Sequence, residues 1–293
     1  MNETAPPLNR RIAGEAERKA ISRISIITPC RNSGRYIKDT IDSILGQRAV
    51  QSGRVELEYF VCDGASEDDT LRIVENYRSS SIRIVSEPDT GMYAALIKGL
   101  ARASGDVVAY INAGDYYHPH AFDTVLDVFE TSSASWLTGY NVQYNHAGAI
   151  VNVGLPFRYR RRLFECGLYA TLLPIVQQES TFWRRHLNDT LDLDALARLR
   201  YAGDYYMWHT FAQHTDLHIV EAVLGGFRSH PGQLSESVDA YRSEVRGFTR
   251  APGLIDFALA ACDRLAWYAP VRVKKWLNSD GLLRFDHASQ RWV

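Results

Sequence analysis

A chain of 293 residues with 46% apolar content and 23% charged residues can build one large α/β domain or two small ones around a sizeable core. Its net charge of −1 excludes the strongly basic footprint of a nucleic-acid binder. No apolar run approaches the roughly eighteen residues of a membrane span, and the four scattered cysteines have no CxxC spacing.

The opening MNETAPPLNRRIAGEAERKA lacks the apolar core of a secretory signal, and residues 1–21 are read as a mobile arm. Ile24 to Thr28 predicts a buried strand running into Pro29-Cys30-Arg31-Asn32. Ser33-Gly34 then opens a helix with Ile37, Ile41, Ile44 and Leu45 on its inward stripe. Val55 to Cys62 is a second strand, ending at Asp63-Gly64, and Glu67 to Tyr77 a helix with acids in its first turn. Cys30 and Cys62, at the ends of apolar runs, suit buried thiols in a reducing cytosol, so a cytoplasmic location is expected. Ile82 to Val85 is the third strand. Pro88-Asp89-Thr90-Gly91 is a turn before a helix whose Met92, Ala95, Leu96, Gly99, Leu100 and Ala103 share one face. Val107 to Ile111 is a strand covered on both faces, and it ends in Asn112-Ala113-Gly114-Asp115. Alternating strands and helices imply a mostly parallel sheet.

Beyond Asp115 the pattern reads as a helix over His118 to Glu130 and strands over Trp136 to Tyr144 and Ala149 to Val153. A strand over Gln178 to Trp183 and a helix over Gly203 to His214 follow. Strand-like runs then cover Leu217–Val220 and Val223–Arg228, and from Ser235 the chain is helical to near its end. Arg158, Arg160, Arg161 and Arg162 form a dense basic cluster, read as a solvated face or as a contact for a phosphate-bearing acceptor or a membrane.

In open α/β sheets ligands bind at the carboxyl ends of the strands. Three polar loops converge there, with Pro29 and Arg31 after the first strand, Asp63 after the second and Asp115 after the fourth. The ordered run from SEPDTGMY to INAGD resembles the family 2 glycosyltransferases, and the resemblance extends over about residues 22 to 235. It implies a GT-A-like α/β fold, a mostly parallel sheet flanked by helices with a helical C-terminal extension. The implied parts are the arm, a nucleotide-binding half at 22–115, an acceptor-binding half at 116–235 and the extension at 236–293.

The resemblance assigns Pro29, Arg31, Asp63, Asp89, Asn112 and Ala113 to the nucleotide, and Asp115 with His230 to a divalent cation, Mg or Mn. Where the family carries an Asp-x-Asp type motif, Asn112 and Gly114 hold the other acidic places, leaving Asp115 alone. Arg228, in the stretch Phe227 to Ser235 that is similar to the family's closing segment, is assigned to the diphosphate. Asp204, in YAGDYYMW, matches the family's acceptor-side Asp, the general base of an inverting displacement. Glu179, in QESTFWRR, stands where the family has Gln and is a second catalytic acid candidate.

These residues lead to a hexosyltransferase moving a sugar from a UDP-linked donor to a saccharide or lipid-linked acceptor. A role in cell-surface polysaccharide synthesis is implied, with no nucleic-acid partner. The tail from Ala251, mixing apolar residues, Trp and Lys/Arg, is read either as an interfacial helix at the inner face of the membrane or as packing on this domain or a second copy. Two rivals stay open. A nucleotidyltransferase would want a glycine-rich basic loop after the first strand, which PCRNSGRY imitates poorly. A non-catalytic sugar-nucleotide or glycan-binding module is kept open by the missing acids at 112 and 114.

Overall fold

A computed structural model describes residues 20–229, 233–279 and 281–293. Its first part alternates strands and helices. β1 (Arg23–Cys30) is followed by α1 (Ile37–Leu45) and the short α2 (Arg48–Gln51), and β2 (Glu56–Asp63) by α3 (Thr70–Glu75). β3 (Ile82–Ser86) precedes α4 (Met92–Leu100), and β4 (Val107–Tyr110) leads through the short β5 (Tyr116–Tyr117) to α5 (Ala121–Thr131). β1 and β4 lie between helical layers, which is why their sequences are apolar without alternation. Parallel pairing sets Cys30 beside Asp63, Asp63 beside Ser86 and Ile27 beside Tyr110. The loops after these strands therefore open at one edge.

The helix expected from Glu67 begins only at Thr70, and the acids ahead of it have another task. Asp68 accepts the Gly34 and Thr70 N–H groups at 2.9 and 3.0 Å, which ties the first two strand-end loops together.

The second part contains β6 (Trp136–Thr138), β7 (Asn141–Tyr144), β8 (Ile150–Gly154), α6 (Arg161–Glu165), β9 (Phe182–Arg184), α7 (Leu193–Ala197), α8 (Gly203–His214), β10 (His218–Val220) and β11 (Gly225–Arg228). The single strand expected over 136–144 is two strands in two sheets, β6 in the large one and β7 in the small one. They part at Gly139, where a Cβ would lie 2.5 Å from the Ala222 carbonyl, so only glycine lets the chain switch sheets there. The strand expected from Gln178 is likewise shorter. Gln178–Ser180 is a 3-10 turn, because the side chains of Gln177 and Gln178 turn inward to the backbone of Val142 and Tyr110 in place of a strand ladder. β9 then enters the sheet antiparallel, between β4 and β6.

The extension holds α9 (Val238–Phe248), α10 (Leu254–Trp267) and α11 (Val271–Leu277), then β12 (Leu282–Leu283) and the hairpin of β13 (Phe285–Asp286) and β14 (Arg291–Trp292). The large sheet runs β12-β10-β6-β9-β4-β1-β2-β3, so the chain's last part completes its edge. The small sheet runs β5-β11-β7-β8. Beneath the junction of the two parts, the rings of Trp136 and Trp208 stack with centroids 5.7 Å apart, and Trp183 and Phe211 close the cluster. Truncating one such buried ring costs about 3–5 kcal/mol.

The arginine cluster is not a solvated face. Arg160 grips Asp263 of α10 through two bonds of 2.6 and 2.9 Å, and Arg162 meets Asp256 at 2.5 Å. Arg158 bonds Asn278 and the Leu277 carbonyl at the end of α11. Arg161 turns back to the Ala212 carbonyl at the end of α8. Arg158, Arg160 and Arg162 thus fasten the extension to the domain. Among the described residues, no helix is long and apolar enough to cross a membrane.

Candidate active site

The loop after β4 is built for close approach. Gly114 sits at φ +114°, and its N–H donates to Thr40 Oγ1 at 2.8 Å, while that hydroxyl donates to the Asp115 carbonyl at 2.9 Å. α1 thereby fixes the turn that aims Asp115. The Asp115 carboxylate is almost fully buried, and its Oδ1 accepts the Arg228 backbone N–H at 2.8 Å. It is not the cap of α5, which begins at Ala121.

Glu179, in the 3-10 turn, hydrogen-bonds the Asp115 side chain and is itself buried. Two carboxyl groups in contact inside a protein cannot both ionise cheaply. Burial pushes both upward, Glu179 to about 7; the Glu179 charge raises Asp115 further, while the hydrogen bond to Asp115 draws Glu179 down. Asp204 also acts on Glu179 across the site. Asp204 lies partly exposed in the first turn of α8. Its surroundings push it up to about 6 by withholding water, against the Tyr205 N–H at 2.7 Å, the Tyr241 hydroxyl at 3.2 Å and Tyr93, which favour the ionised form. Three carboxyl groups from three segments thus meet where β4 ends.

Asn112 donates from Nδ2 to Gln178 at 3.3 Å, but its Oδ1 is buried without a hydrogen-bond partner. Asp89 is similar. Its Oδ1 accepts the Gly91 N–H, while its buried Oδ2 makes no hydrogen bond and has only Lys98 Nζ at 3.8 Å. A Cβ on Gly64 would lie 2.7 Å from that Oδ2, so Asp89 is held against the Asp63-Gly64 loop. Buried acceptors left over in this way are unusual and call for a ligand or an ion.

Other expected residues are less free. Asp63 is fully buried, with its carboxylate taken by the Ser66 N–H at 3.0 Å, the Ser66 hydroxyl and the Ser86 hydroxyl at 2.7 Å. Pro29 is buried at the end of β1, and Arg31 and Ala113 line the same edge, Arg31 exposed to solvent. Arg228 is brought to the site by its backbone. Its guanidinium, however, pairs with Asp39 at 2.7 Å, donates to the His146 carbonyl and lies over Tyr36 and Tyr116. His230 lies outside the described residues.

Among the described residues, no group of three or more His, Cys, Asp or Glu is arranged to hold a metal ion. The donors in contact at this site are the carboxyl oxygens of Asp115 and Glu179. That set fits a hard divalent cation whose remaining ligands come from a diphosphate.

Tyr93, Tyr241 and Glu244 were not singled out from the sequence. Glu244 of α9 accepts the N–H groups of Arg200, Tyr201 and Ala202 at 2.8–3.0 Å, capping the approach to α8 from another helix. Tyr241, three residues earlier and so on the same face of α9, reaches Asp204. That spacing was readable; its target was not.

Residues 25–166 match the profile of the family described as Glycosyl transferase family 2. The chain is 27% identical over 161 residues to the hyaluronan synthase of Pasteurella multocida, which covers 53% of this chain and 16% of that protein. It is 29% identical over 139 residues to a chondroitin synthase of the same species, 46% of this chain and 14% of that one. The chain thus spans only a small part of the length of these relatives. Among solved structures, it is similar to Staphylococcus aureus TarS 1–349 in complex with UDP-GlcNAc, with a TM-score of 0.55 and 19% identity over 86% of this chain and 69% of that one. It is also similar to the glucosyl-3-phosphoglycerate synthase of Mycobacterium tuberculosis in complex with Mn2+, UDP and phosphoglyceric acid. There the TM-score is 0.54, with 21% identity and 80% of each chain covered. The sheet order, the carboxylates at its carboxyl edge and the profile match agree on a GT-A-like α/β fold whose segment 25–166 is similar to glycosyl transferase family 2.

Proposed function

We propose that this chain transfers a sugar from a UDP-linked donor to a hydroxyl of a saccharide or lipid-linked acceptor, inverting the anomeric centre. The observation that carries the reading is the meeting of Asp115, Glu179 and Asp204, each at a raised pKa, beside the two unpartnered acceptors of Asn112 and Asp89. The UDP-GlcNAc of the TarS complex and the UDP and Mn2+ of the synthase complex support the donor and the cation.

In this reading the nucleoside lies along the loops after β1 to β3, lined by Pro29, Arg31, Asp63 and Asp89. Asp115, with Asn112 and Ala113 beside it, faces the diphosphate. A divalent cation, Mg or Mn, would be held there by Asp115 and phosphate oxygens, and it supplies positive charge to the leaving diphosphate. Asp204 accepts the acceptor hydroxyl's proton as that oxygen bonds to the anomeric carbon and the sugar–phosphate bond breaks. One base and no covalent intermediate are needed. Glu179 holds the Asp115 carboxylate in place. Arg228 reaches the diphosphate by exchanging Asp39 for phosphate oxygens, a stronger partner for a guanidinium. His230, two residues on, belongs to the same closing segment.

A panel of nucleotide sugars with and without Mn2+ tests the reading by thermal shift, since a ligand of the native state raises apparent stability. UDP-sugars should protect the fold, more so with Mn2+, and released product should carry the opposite anomeric configuration to the donor. No protection by any nucleotide at millimolar concentration would defeat the donor assignment. Retained configuration would defeat the single displacement, and protection without turnover on any acceptor would favour a binding module.

A further inference from the structure

The side of α10 that faces the protein carries Ala260, Ala266 and Trp267 together with two acids. Its two acids, Asp256 and Asp263, are buried, the first held by Arg162 and Arg250 and the second by Arg160. Its opposite face is apolar and open to solvent. Leu254 is 90% exposed and Leu265 77%, with Ile255, Phe257 and Tyr268 beside them, and Trp276 of α11, 78% exposed, continues the patch. A helix lying on a soluble domain ordinarily keeps its large apolar side chains inward and its charges outward. From Leu254 to Ser279 the only exposed charged residues are Arg264 and Arg272, and neither makes an ion pair among the described residues.

We propose that this face of α10 and α11 seats the protein on the surface of an anionic lipid bilayer. Large apolar side chains, an exposed Tyr and Trp, and unpaired cations with no exposed acid between them are what the bilayer interface selects. Charge decides against a second copy as occupant. A two-fold contact would press together two faces that each carry Arg264 and Arg272, with no exposed acid among 254–279 to answer them. The buried acids complete the argument, because the arginines that neutralise them remove from the outer face the charges that an anionic headgroup would repel. The inference is independent of the sugar-transfer reading, and its test reads binding alone.

The experiment is co-sedimentation of the full chain with vesicles of phosphatidylcholine containing 30% phosphatidylglycerol, a composition chosen at roughly the anionic level that engages basic surface residues, and with phosphatidylcholine alone. The wild type should sediment with the anionic vesicles and much less with the neutral ones. Leu265→Glu with Trp276→Glu should weaken binding at least tenfold while leaving the melting temperature nearly unchanged, since both positions are exposed. Arg264→Gln with Arg272→Gln should weaken it by about an order of magnitude or more and abolish the anionic preference. This second pair keeps the test sound if the first disturbs folding. Absence of wild-type binding at millimolar lipid, or equal binding by both variants, would overturn the proposal. So would a lipid-independent dimer that Leu265→Glu dissolves.

Discussion

Asp204 holds its proton until about pH 6, because partial burial outweighs the Tyr205 N–H, Tyr241 and Tyr93 contacts that favour the anion. A base must be ionised, so kcat/KM should rise about tenfold per pH unit below 6 and level off above it. A pH–rate profile on the transfer reaction checks this, and a limb centred near pH 4 would point away from Asp204. The same shift fixes a sign for stability. The folded pKa lies above the ordinary 3.8, so the folded chain keeps a proton that the unfolded chain has lost. This contribution therefore declines as pH rises from about 4 to 6 and is flat beyond. Asp204→Asn should gain melting temperature on the wild type at pH 8 and not at pH 4. At Asp115, an Asn keeps an oxygen for the Arg228 N–H but loses the charge. Asp115→Asn should melt near the wild type and transfer orders of magnitude more slowly, and EDTA should inhibit the wild type. Full activity in EDTA would leave the leaving-group charge to Arg228 or another side chain. Asp63 was legible as a loop carboxylate, but its fully engaged state was not, because Ser66 and Ser86 reach it only through the fold.

α9 is where the extension enters the chemistry. Glu244 caps the approach to α8, and Tyr241 donates to Asp204, so an element outside the 22–235 unit positions the base. Tyr241→Phe removes a donor that stabilises the carboxylate, and the acid limb of the pH–rate profile should move to higher pH. A purely structural role for Tyr241 would change rates without moving that limb. α10 is fastened by the Arg160–Asp263 pair, with Asp263 only 2% exposed at its side chain. Arg160→Met leaves that carboxylate buried without its partner and should cost about 3 kcal/mol by urea denaturation. Adding Asp263→Asn should restore part of it. Strands and helices up to Asp115 were legible because each carries its own apolar period. Gly139 ends β6 only because Ala222 passes behind it, and the Arg158–Arg162 run looked like a solvent-facing charge cluster because its partners lie about a hundred residues later. Such pairings are non-local and leave no mark in a local window.

The whole molecule brings one carboxylate from the end of β4, one from the turn before β9 and one from the start of α8 to a single sheet edge. Strand order made Asp115 legible there, since parallel strands deliver their loops to one side, whereas Glu179 and Asp204 were legible only through the family resemblance. The shared proton of Asp115 and Glu179, and the link from α9 to Asp204, exist only once the sheets and the extension are packed. The measurement that bears most directly on the account is transfer by Asp204→Asn, taken with its melting temperature and its affinity for the donor nucleotide. The side chain keeps its shape and its place in the first turn of α8, where losing the hydrogen bond from the Tyr205 N–H costs about 1 kcal/mol. A lost general base costs about 10²–10⁴-fold in rate. The account predicts a variant that folds, binds donor as the wild type does, and transfers at least a hundredfold more slowly. Near-normal transfer by that folded variant would contradict it and leave Glu179 as the base to test.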